Sequence, residues 1–556
     1  MRRLRRLLAL LCASTAAWTV ASTAEATGGI DATYGVGGRA VVVGPSARFS
    51  AGAAATPDGG AVLAGGGDEP RPRLLLARLD AAGRPVRSFG REGVVVRPGR
   101  VPGAVAVLPD GRVLAAGSAP GARRDRLALL RFDERGRPDP TFGRRGEVLR
   151  SFGNGRRPAA FALLILPDGR ILVAGTEAQD GVDDDYGRLL LARFLSDGRP
   201  DAGFGRNGAV RMRLARRTAA AVFALALTTD GKILAAGDTQ TVDKYGDLLE
   251  EGMLIARFDS AGRPDRSFGS GGTGVVDLGG RIAQGSAVAA LPDGRVLVAG
   301  SLEVDSRDPE LGGSDALVAR VDRDGRLDRS FGRQGVIRLR AGDAGFAGAS
   351  ALRVEADGRI LLAGSATDCG TSSALVARLL PEGQIDRSFG RRGALLVPSA
   401  AGDFNPTSLL PVNDGRLVVA GVAGFRPGRL EAARVDPAQA LPADDGRPPK
   451  ARVRPLAPPK GAERIARVRV RVSMDEPATL KLSVRATVRI GSARIDRLLA
   501  QGVRLDLPAG TRTVDLPVTP PEALGEMRAS RLLALGCADD AAGNRARVRG
   551  TAAVGR

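Results

Sequence analysis

The sequence contains no histidine, and this absence excludes several kinds of chemistry. A Ser-His-Asp or Cys-His catalytic pair, a histidine general base and a histidine-bearing zinc or non-haem iron site all need an imidazole. Aromatic residues make up only 4% of the 556 residues, which argues against the stacking platforms that hold sugars or single-stranded nucleic acid. A phosphate-binding loop, G-x-S-x-G and C-x-x-C are also absent, so no catalytic motif is found.

Lysine is scarce as well, although the chain is strongly basic. The formal charge is +21, from 82 basic and 61 acidic residues, and only five of the basic residues are lysine. A composition rich in Ala, Arg, Gly and Pro is typical of proteins encoded by GC-biased genomes, and on this interpretation the arginines lie on solvated faces. The alternative is attraction to phosphate polymers or anionic surfaces, among which the low aromatic content disfavours nucleic acid.

The N-terminus has the pattern of an export signal. Arg2, Arg3, Arg5 and Arg6 precede an apolar run from residue 7 to residue 20, and an A-x-A-like site follows at residues 24–26. This run is too short to span a bilayer, and no later stretch is long enough. We therefore predict a signal peptide over 1–26 and a secreted mature chain without a transmembrane segment. Cys369 and Cys537 remain after cleavage, either paired or as free thiols.

Internal repetition is the strongest pattern in the sequence. One anchor is an aspartate, followed by glycine, that occurs seven times at intervals of about 59 residues: Asp58, Asp110, Asp168, Asp230, Asp293, Asp357 and Asp414. The other is Phe-Gly, with Tyr34-Gly35 as an altered first copy: Phe89, Phe142, Phe204, Phe268, Phe331 and Phe389. Each anchor therefore occurs seven times, when Tyr34-Gly35 is included.

Each repeat contains four short apolar runs, and each run predicts a β-strand. In the fifth repeat they are residues 287–291, 295–299, 316–321 and 336–339, bounded by Gly and Asp. Asp-Gly between the first two predicts a tight hairpin. Seven units of four antiparallel strands predict an all-β, seven-bladed β-propeller over residues 27–436. The last unit lacks its Phe-Gly, so we expect the strand at 39–43 to complete blade seven beside 430–435 as an N-terminal latch.

These motifs resemble a known repeat. The runs LPDGRVLVAG (291–300) and ALVARVDRDGRLDRSFGRQG (316–335) are similar to the delta-60 repeat of bacterial secreted proteins, and the resemblance covers about residues 31–436. It implies a propeller-like fold and no established biochemical activity.

A second domain is predicted after the repeats. Seven prolines between 437 and 462 indicate a semi-rigid linker without strands. Alternating apolar and polar residues then predict a small β-sandwich over 463–556, whose ending is similar to bacterial immunoglobulin-like or fibronectin-like modules. Arg467, Arg469 and Arg471 alternate with valines, so one face of this strand is predicted to be cationic.

Two sets of charged residues recur with the repeat, and we predict a structural role for both, because catalysis needs a residue once whereas symmetry needs it seven times. One arginine lies in every third strand: Arg78, Arg131, Arg193, Arg257, Arg320, Arg378 and Arg434. One aspartate precedes most of the aromatic-Gly anchors: Asp31, Asp139, Asp201, Asp265, Asp328 and Asp386. We expect them to pair or to cap turns in each blade.

The loops between second and third strands are long and acidic in repeats three to five. Their candidate metal ligands are Asp180, Asp183, Asp184, Asp185, Asp243, Asp247, Asp305 and Asp308. The topology places these loops on the face that also carries the connections into each inner strand. The hypothesis is an acidic pocket for a cation such as calcium or for a cationic partner; the alternative is solubilising loop sequence. The turn at 322–328 also spaces carboxylates as calcium loops do, but its sister turns lose them, which favours a hairpin turn.

The function predicted from the sequence is non-catalytic: a secreted binding or scaffold protein that uses one propeller face, without a cofactor unless calcium binds. The first alternative is an extracellular lyase or hydrolase that works with paired carboxylates and calcium. The second is attachment to the cell envelope, in which the cationic sandwich and the basic face bind an anionic envelope polymer. The expected partner is a protein or an envelope polymer.

Overall fold

A computed structural model describes most of the chain. The described residues are 29–42, 47–67, 72–121, 125–153, 156–179, 187–215, 218–242, 248–276, 278, 282–304, 313–339, 346–368, 371–390, 393–399, 402–412, 415–424, 428–436, 451–455, 464–475, 478–490, 493–523, 528–539 and 545–553. The predicted signal peptide and Cys369 lie outside them, so a disulfide between Cys369 and Cys537 and a pair of free thiols both stay expectations. All regular structure in the described residues is β-strand, and no helix there could cross a membrane.

The first part of the chain is a β-propeller of seven blades, as predicted. Its strands are β1 (Arg39–Val41), β2 (Phe49–Ala55), β3 (Ala61–Gly67), β4 (Arg73–Leu79), β5 (Val94–Pro98), β6 (Val101–Val107), β7 (Val113–Ala119), β8 (Arg126–Phe132), β9 (Glu147–Arg150), β10 (Arg156–Ile165), β11 (Ile171–Gln179), β12 (Arg188–Phe194), β13 (Ala209–Met212), β14 (Thr218–Leu227), β15 (Ile233–Val242), β16 (Leu248–Phe258), β17 (Thr273–Val276), β18 (Ala283–Ala290), β19 (Val296–Val304), β20 (Gly313–Val321), β21 (Val336–Leu339), β22 (Phe346–Val354), β23 (Ile360–Asp368), β24 (Thr371–Leu379), β25 (Ala394–Val397), β26 (Phe404–Pro411), β27 (Leu417–Ala423) and β28 (Arg429–Val435). Blades one to six take four consecutive strands each, beginning with β2, and all pairs within a blade are antiparallel.

The first strands of successive blades are neighbours all the way round, and β26 lies next to β2, so the ring is closed. The hydrophobic core is divided in the same way. It consists of seven clusters of buried Leu, Val, Ile, Ala and Phe, one between each pair of neighbouring blades. Each blade therefore depends on both neighbours to bury its two faces.

Blade seven is built from both ends of the propeller sequence. Strand β1 pairs antiparallel with β28, with Arg39 opposite Ala433 and Val41 opposite Glu431. The backbone N–H of Asp31 also donates to the carbonyl of Arg434. The N-terminal latch predicted from the missing Phe-Gly is therefore present.

One position in the second strand of each blade is occupied by glycine for a steric reason. In blade five a Cβ on Gly300 would lie 1.7 Å from the carbonyl oxygen of Gln284 on β18. The pairing of β18 with β19 skips one residue at this point, between Gly285 and Ala287, which is a β-bulge. The same skip occurs in the first strand of every blade. The recurring Ala-Gly of the repeat therefore accommodates a bulge at the propeller axis.

The C-terminal part contains two antiparallel sheets. Its strands are β29 (Ala451–Pro455), β30 (Arg464–Met474), β31 (Ala478–Ile490), β32 (Ala493–Leu507), β33 (Gly510–Ala523), β34 (Arg528–Asp539) and β35 (Arg545–Ala553). One sheet has the order β29-β30-β33 and the other β32-β31-β34-β35. Strand β29 lies close to β34 and β35, and β32 lies close to β33, so the two sheets are neighbours.

The structure differs from the sequence prediction within the segment 437–462. Residues 451–455 form strand β29, which pairs with β30, although the prolines predicted a linker throughout. The physical reason is that β29 is an edge strand whose only proline is its last residue. Proline is tolerated at such a position because its missing N–H removes no ladder hydrogen bond.

Candidate functional site

The recurring arginine of the third strand lies at the centre of one network per blade. In six blades its Nε donates to the Oδ2 of the recurring aspartate, at 2.6–2.8 Å. Its guanidinium also lies over the aromatic ring of the same repeat, 4.5–5.0 Å from the ring centre. In the fifth blade these partners of Arg320 are Asp328 and Phe331. The arginine side chain thus fastens the Phe-Gly turn to the third strand.

The same guanidinium also reaches the next blade. Its Nη1 donates to a backbone carbonyl in the turn between the third and fourth strands of that blade. The accepting residues, for Arg78, Arg131, Arg193, Arg257, Arg320 and Arg434 in turn, are Glu134, Ser196, Ser260, Arg323, Pro381 and Ala81. The pair from Arg434 to Ala81 joins blade seven to blade one. Because the contact recurs around the ring, the network is an inter-blade fastener rather than a single reactive centre.

Hydrogen bonds hold the recurring aspartates in the charged form. Burial raises the pKa of Asp139, but hydrogen bonds from Thr141 and Arg112 and the charge of Arg131 outweigh burial and lower it to about 2. The same balance lowers the pKa of Asp328 to about 2. Each carboxylate is thus a permanent anion at neutral pH, unsuited to proton transfer.

Blade one breaks this pattern. Val86 occupies the position of the aspartate, and the Nε of Arg78 is buried with no hydrogen-bond partner among the described residues. The Nη2 of Arg78 instead lies 3.0 Å from Asp58 of the first hairpin turn. The basic turn residue of the other repeats, which is Lys232 in blade four and arginine elsewhere, is also missing, because Gly60 stands there. A Cβ on Gly60 would lie 2.2 Å from the carbonyl oxygen of Leu79. Two coupled changes therefore leave blade one with a smaller network.

An open groove of about 590 Å³ adjoins this altered network. Its charged lining includes Arg84 and Arg87, which pair with Asp80 at 2.9 Å and with Glu92 at 3.5 Å. Arg78 also lines the groove and lies 3.0 Å from Asp58, so each of its three arginines is paired with an acid.

We call the side of the ring that carries the connections between second and third strands the loop face, and the opposite side the turn face. All eight acidic-loop candidates, Asp180, Asp183, Asp184, Asp185, Asp243, Asp247, Asp305 and Asp308, lie outside the described residues. Within the described residues no group of three or more Cys, Asp or Glu side chains could hold a metal ion. The calcium hypothesis therefore stays a prediction. The turn at 322–328 is a hairpin turn, in which Asp322 Oδ1 accepts from the backbone N–H groups of Asp324 and Arg326.

Two buried ion pairs lie at the bases of the acidic loops. Glu177, near the end of β11, is fully buried, and its Oε1 lies 2.6 Å from the Nη2 of Arg211. Asp315, near the start of β20, is 2% exposed and lies 2.5 Å from the Nη2 of Arg338. At the position of Glu177 the other blades carry small or apolar residues: Gly67, Ala119, Thr239, Leu302, Ala366 and Ala423. The position of Asp315 is occupied in the other blades by Arg, Gly or Ser, so both acids depart from the repeat.

Two further buried acids lie on the fourth blade. The Oδ1 of Asp238 on β15 accepts the backbone N–H of Gly285 on β18, at 2.6 Å. The Oε1 of Glu251 on β16 accepts from the Nε2 of Gln284 at 2.9 Å. Both bonds cross from blade four to blade five. Blades three to five thus have loop bases that are held by buried carboxylates.

A fifth buried acid, Glu431 on β28, lies where β1 closes the ring. It is fully buried, and its Oε2 accepts from Ser399 Oγ at 2.6 Å while its Oε1 lies 3.8 Å from Arg39 Nε. Burial raises the pKa of Glu431, and the hydrogen bond from Ser399 and the charge of Arg39 only partly offset this. It connects the latch strand to the loop between β25 and β26.

Sequence reasoning missed two aromatic residues at the axis. Phe161 on β10 and Phe223 on β14 occupy the bulges of blades three and four, and their ring centres are 5.2 Å apart. The residues on either side of Phe161, Ala160 and Ala162, pack into the core clusters on opposite faces of blade three. Phe161 therefore projects from the free edge of β10 toward the axis. The available signal was a phenylalanine within first strands otherwise rich in alanine.

Four segments of the propeller match one family model, described as a domain of unknown function (DUF5122) beta-propeller. The matched residues are 108–142, 166–204, 291–331 and 355–389. They correspond to blades two, three, five and six, and they support assignment of this part of the chain to a propeller-like repeat family. No curated protein sequence matches the chain.

Several solved propeller structures are similar to this chain. The polysaccharide lyase Uly1 is 11% identical, with 71% of this chain and 90% of that chain covered and a TM-score of 0.39. Sqt1 from Chaetomium thermophilum is 14% identical, with 70% and 96% covered and a TM-score of 0.36. An ulvan lyase of polysaccharide lyase family PL25 is 9% identical, with 73% and 94% covered and a TM-score of 0.39. Similarity at this level carries no information on activity.

Proposed function

We propose that this chain is a secreted, non-catalytic binding protein whose loop face, on blades three to five, binds a positively charged partner. The observation that supports this most directly is the set of buried acids on these three blades, Glu177, Asp238, Glu251 and Asp315. They fix the strand ends from which the acidic loops leave. A loop that is anchored at its base loses less conformational entropy when it binds a ligand.

The charge of the face follows from the sequence of the loops. Residues 180–186 contain four aspartates, and residues 303–310 contain four further acids. A cluster of carboxylates on a basic protein attracts a cationic ligand and orients it during encounter. A rigid ring with variable loops is a common arrangement for recognition.

Binding rather than catalysis is favoured by the chemistry of the described residues. The recurring arginines and aspartates are tied into the network that six blades share, and the buried acids of blades three to five have hydrogen-bonded or ion-paired partners. Without histidine, an enzyme would need a carboxylate poised to exchange a proton near neutral pH. The recurring aspartates have lowered pKa values and do not meet this need.

The proposal is tested with a fluorescent oligolysine peptide as a cationic probe. Binding is measured by anisotropy for the natural chain and for the triple variant Asp183→Asn, Asp184→Asn and Asp185→Asn. The control variant, Glu92→Gln, Glu134→Gln and Asp324→Asn, removes the same charge from exposed positions on the turn face. We expect the loop variant to bind at least about tenfold more weakly and the control to change by less than about twofold.

Equal weakening of both variants would mean that net charge alone is responsible, and the proposal would fail. Thermal unfolding with calcium and with a chelator adds a second outcome. A rise in Tm with calcium concentration that the loop variant abolishes would reassign the loops to a metal site, by mass action on the folded state.

A further inference from the structure

The outer face of the three-stranded C-terminal sheet carries a regular array of arginines. Val453, Val470 and Val472 are at most 4% exposed, which fixes the inner face of strands β29 and β30. The alternating residues therefore lie on the outer face, where the exposed arginines are Arg452, Arg454, Arg469 and Arg471.

The strand register places these arginines next to one another. Arg454 on β29 lies directly opposite Arg471 on β30, and Arg469 lies opposite Asp515 on β33. Residues directly opposite in an antiparallel pair have Cβ atoms about 5 Å apart, and like charges there are destabilising. The pairing of Arg454 with Arg471 therefore destabilises the sheet rather than contributing to its folding.

Little within the described part of the sheet compensates for this charge. The carboxylate of Asp515 is 3.8 Å from the Nε of Arg469, and both side chains are about half exposed, at 47% and 60%. The remaining strand neighbours on this face with described side chains are Ser473, Thr511 and Thr513, of which Ser473 and Thr511 bond to each other at 2.7 Å. Asp475, exposed directly after the end of β30, is a second carboxylate at the edge of the array. Four guanidinium groups against two carboxylates leave the face cationic.

We propose that this face binds a linear acidic polysaccharide. Guanidinium groups two residues apart on a strand are separated by about 7 Å, and together the two strands form a flat surface that an extended chain can follow. Planar guanidinium groups match carboxylate or sulfate groups with two parallel hydrogen bonds. No aromatic residue occurs after Phe425, so the face has no ring on which a nucleic-acid base could stack.

The arginine array is separate from the loop face, and this proposal does not depend on the function proposed above. A bound polyanion would relieve the repulsion between Arg454 and Arg471. Binding should therefore be steeply salt-dependent, because all four groups are exposed and screened by added ions.

The test uses the full chain and two probes, heparin as a sulfated polysaccharide and polygalacturonate as a carboxylated one. The variant replaces the four arginines of the array with threonine. The control replaces Arg206, Arg266, Arg329 and Arg387, exposed turn-face arginines, with threonine, so the net charge is the same. Thermal unfolding and circular dichroism establish that each variant folds.

We expect the natural chain and the control to bind at least one polysaccharide, and the array variant to bind at least about tenfold more weakly. A third variant with four lysines should lie in between, because lysine keeps the charge and loses the planar fork. Equal loss in the control and the array variant, or no binding by the natural chain, would refute the proposal. Tighter, array-dependent binding of double-stranded DNA than of either polysaccharide would also overturn it.

Discussion

Replacement of Asp328 by valine transfers the blade-one residue into blade five, and we expect it to destabilise the propeller by about 3 kcal/mol. Arg320 is the most deeply buried of the recurring arginines, with a side chain that is 1% exposed. Asp328 accepts its Nε at 2.7 Å, so the variant leaves a buried charge without the more buried of its two carboxylate partners. Glu382 still lies 2.7 Å from Nη2, but it is 53% exposed and compensates only in part.

A double-mutant cycle separates the ion pair from the effect of substitution itself. In the variant Asp328→Val with Arg320→Met, the charge and its partner are removed together, so the loss should be smaller than the sum of the two single losses by about 1–3 kcal/mol. Asp324→Asn, at an exposed neighbour with no ion pair among the described residues, serves as the charge control and should lower the free energy of unfolding by less than about 0.5 kcal/mol.

The assay is equilibrium unfolding in urea at neutral pH, followed by circular dichroism. Midpoints and slopes are compared, since a change in slope would mean that the denatured state or the cooperativity had changed. Two results would refute the reasoning: a cost below about 1 kcal/mol for Asp328→Val, or strict additivity in the cycle. Either would mean that the network contributes little to stability and that the aspartates recur for another reason.

Two other predictions follow from the fold. Gly300→Ala should lower the free energy of unfolding by about 3 kcal/mol or more, because its Cβ would lie 1.7 Å from the Gln284 carbonyl oxygen. The control Gly231→Ala, at φ 77° with open space around the Cβ, should lower it by about 1 kcal/mol. Equal urea midpoints for the two variants would contradict this prediction. Acid should unfold the propeller between about pH 4 and pH 2. The pKa of an aspartate is about 3.9 in the unfolded chain, whereas the pKa values of Asp139 and Asp328 are about 2 in the folded chain. The stability that these carboxylates contribute above pH 4 is therefore lost as they become protonated. Circular dichroism against pH measures the transition, and unchanged resistance to urea at pH 2 would contradict the prediction.

The propeller was predictable because its signals are local and are repeated. Asp-Gly marks a hairpin and Phe331-Gly332 marks the turn before the outer strand, and each occurs in register around the ring. The latch was predictable by elimination, since a missing anchor at one end matched an isolated strand at the other. Here the sequence pattern and the tertiary contact carry the same information.

The candidate site was less predictable because it depends on contacts between distant segments. The pairing of Glu177 with Arg211, and of Asp238 with the backbone of Gly285, joins residues whose spacing carries no motif. Strand β29 was read as linker because proline content outweighed a short alternation. The arginines of β30 were recognised as one cationic face, but their neighbours Arg452 and Arg454 became visible only with the strand register.

The closure of blade seven has a consequence for synthesis and assembly. Strand β1 is made early, but its partner β28 comes only after all the other propeller strands, so the ring stays open until residue 435 has emerged. Until then both β1 and the growing edge expose unpaired backbone groups. If β1 of one molecule paired with β28 of another, the head-to-tail contact would propagate into open chains rather than a closed dimer. The order in which the two ends meet therefore decides between a monomeric ring and a polymer.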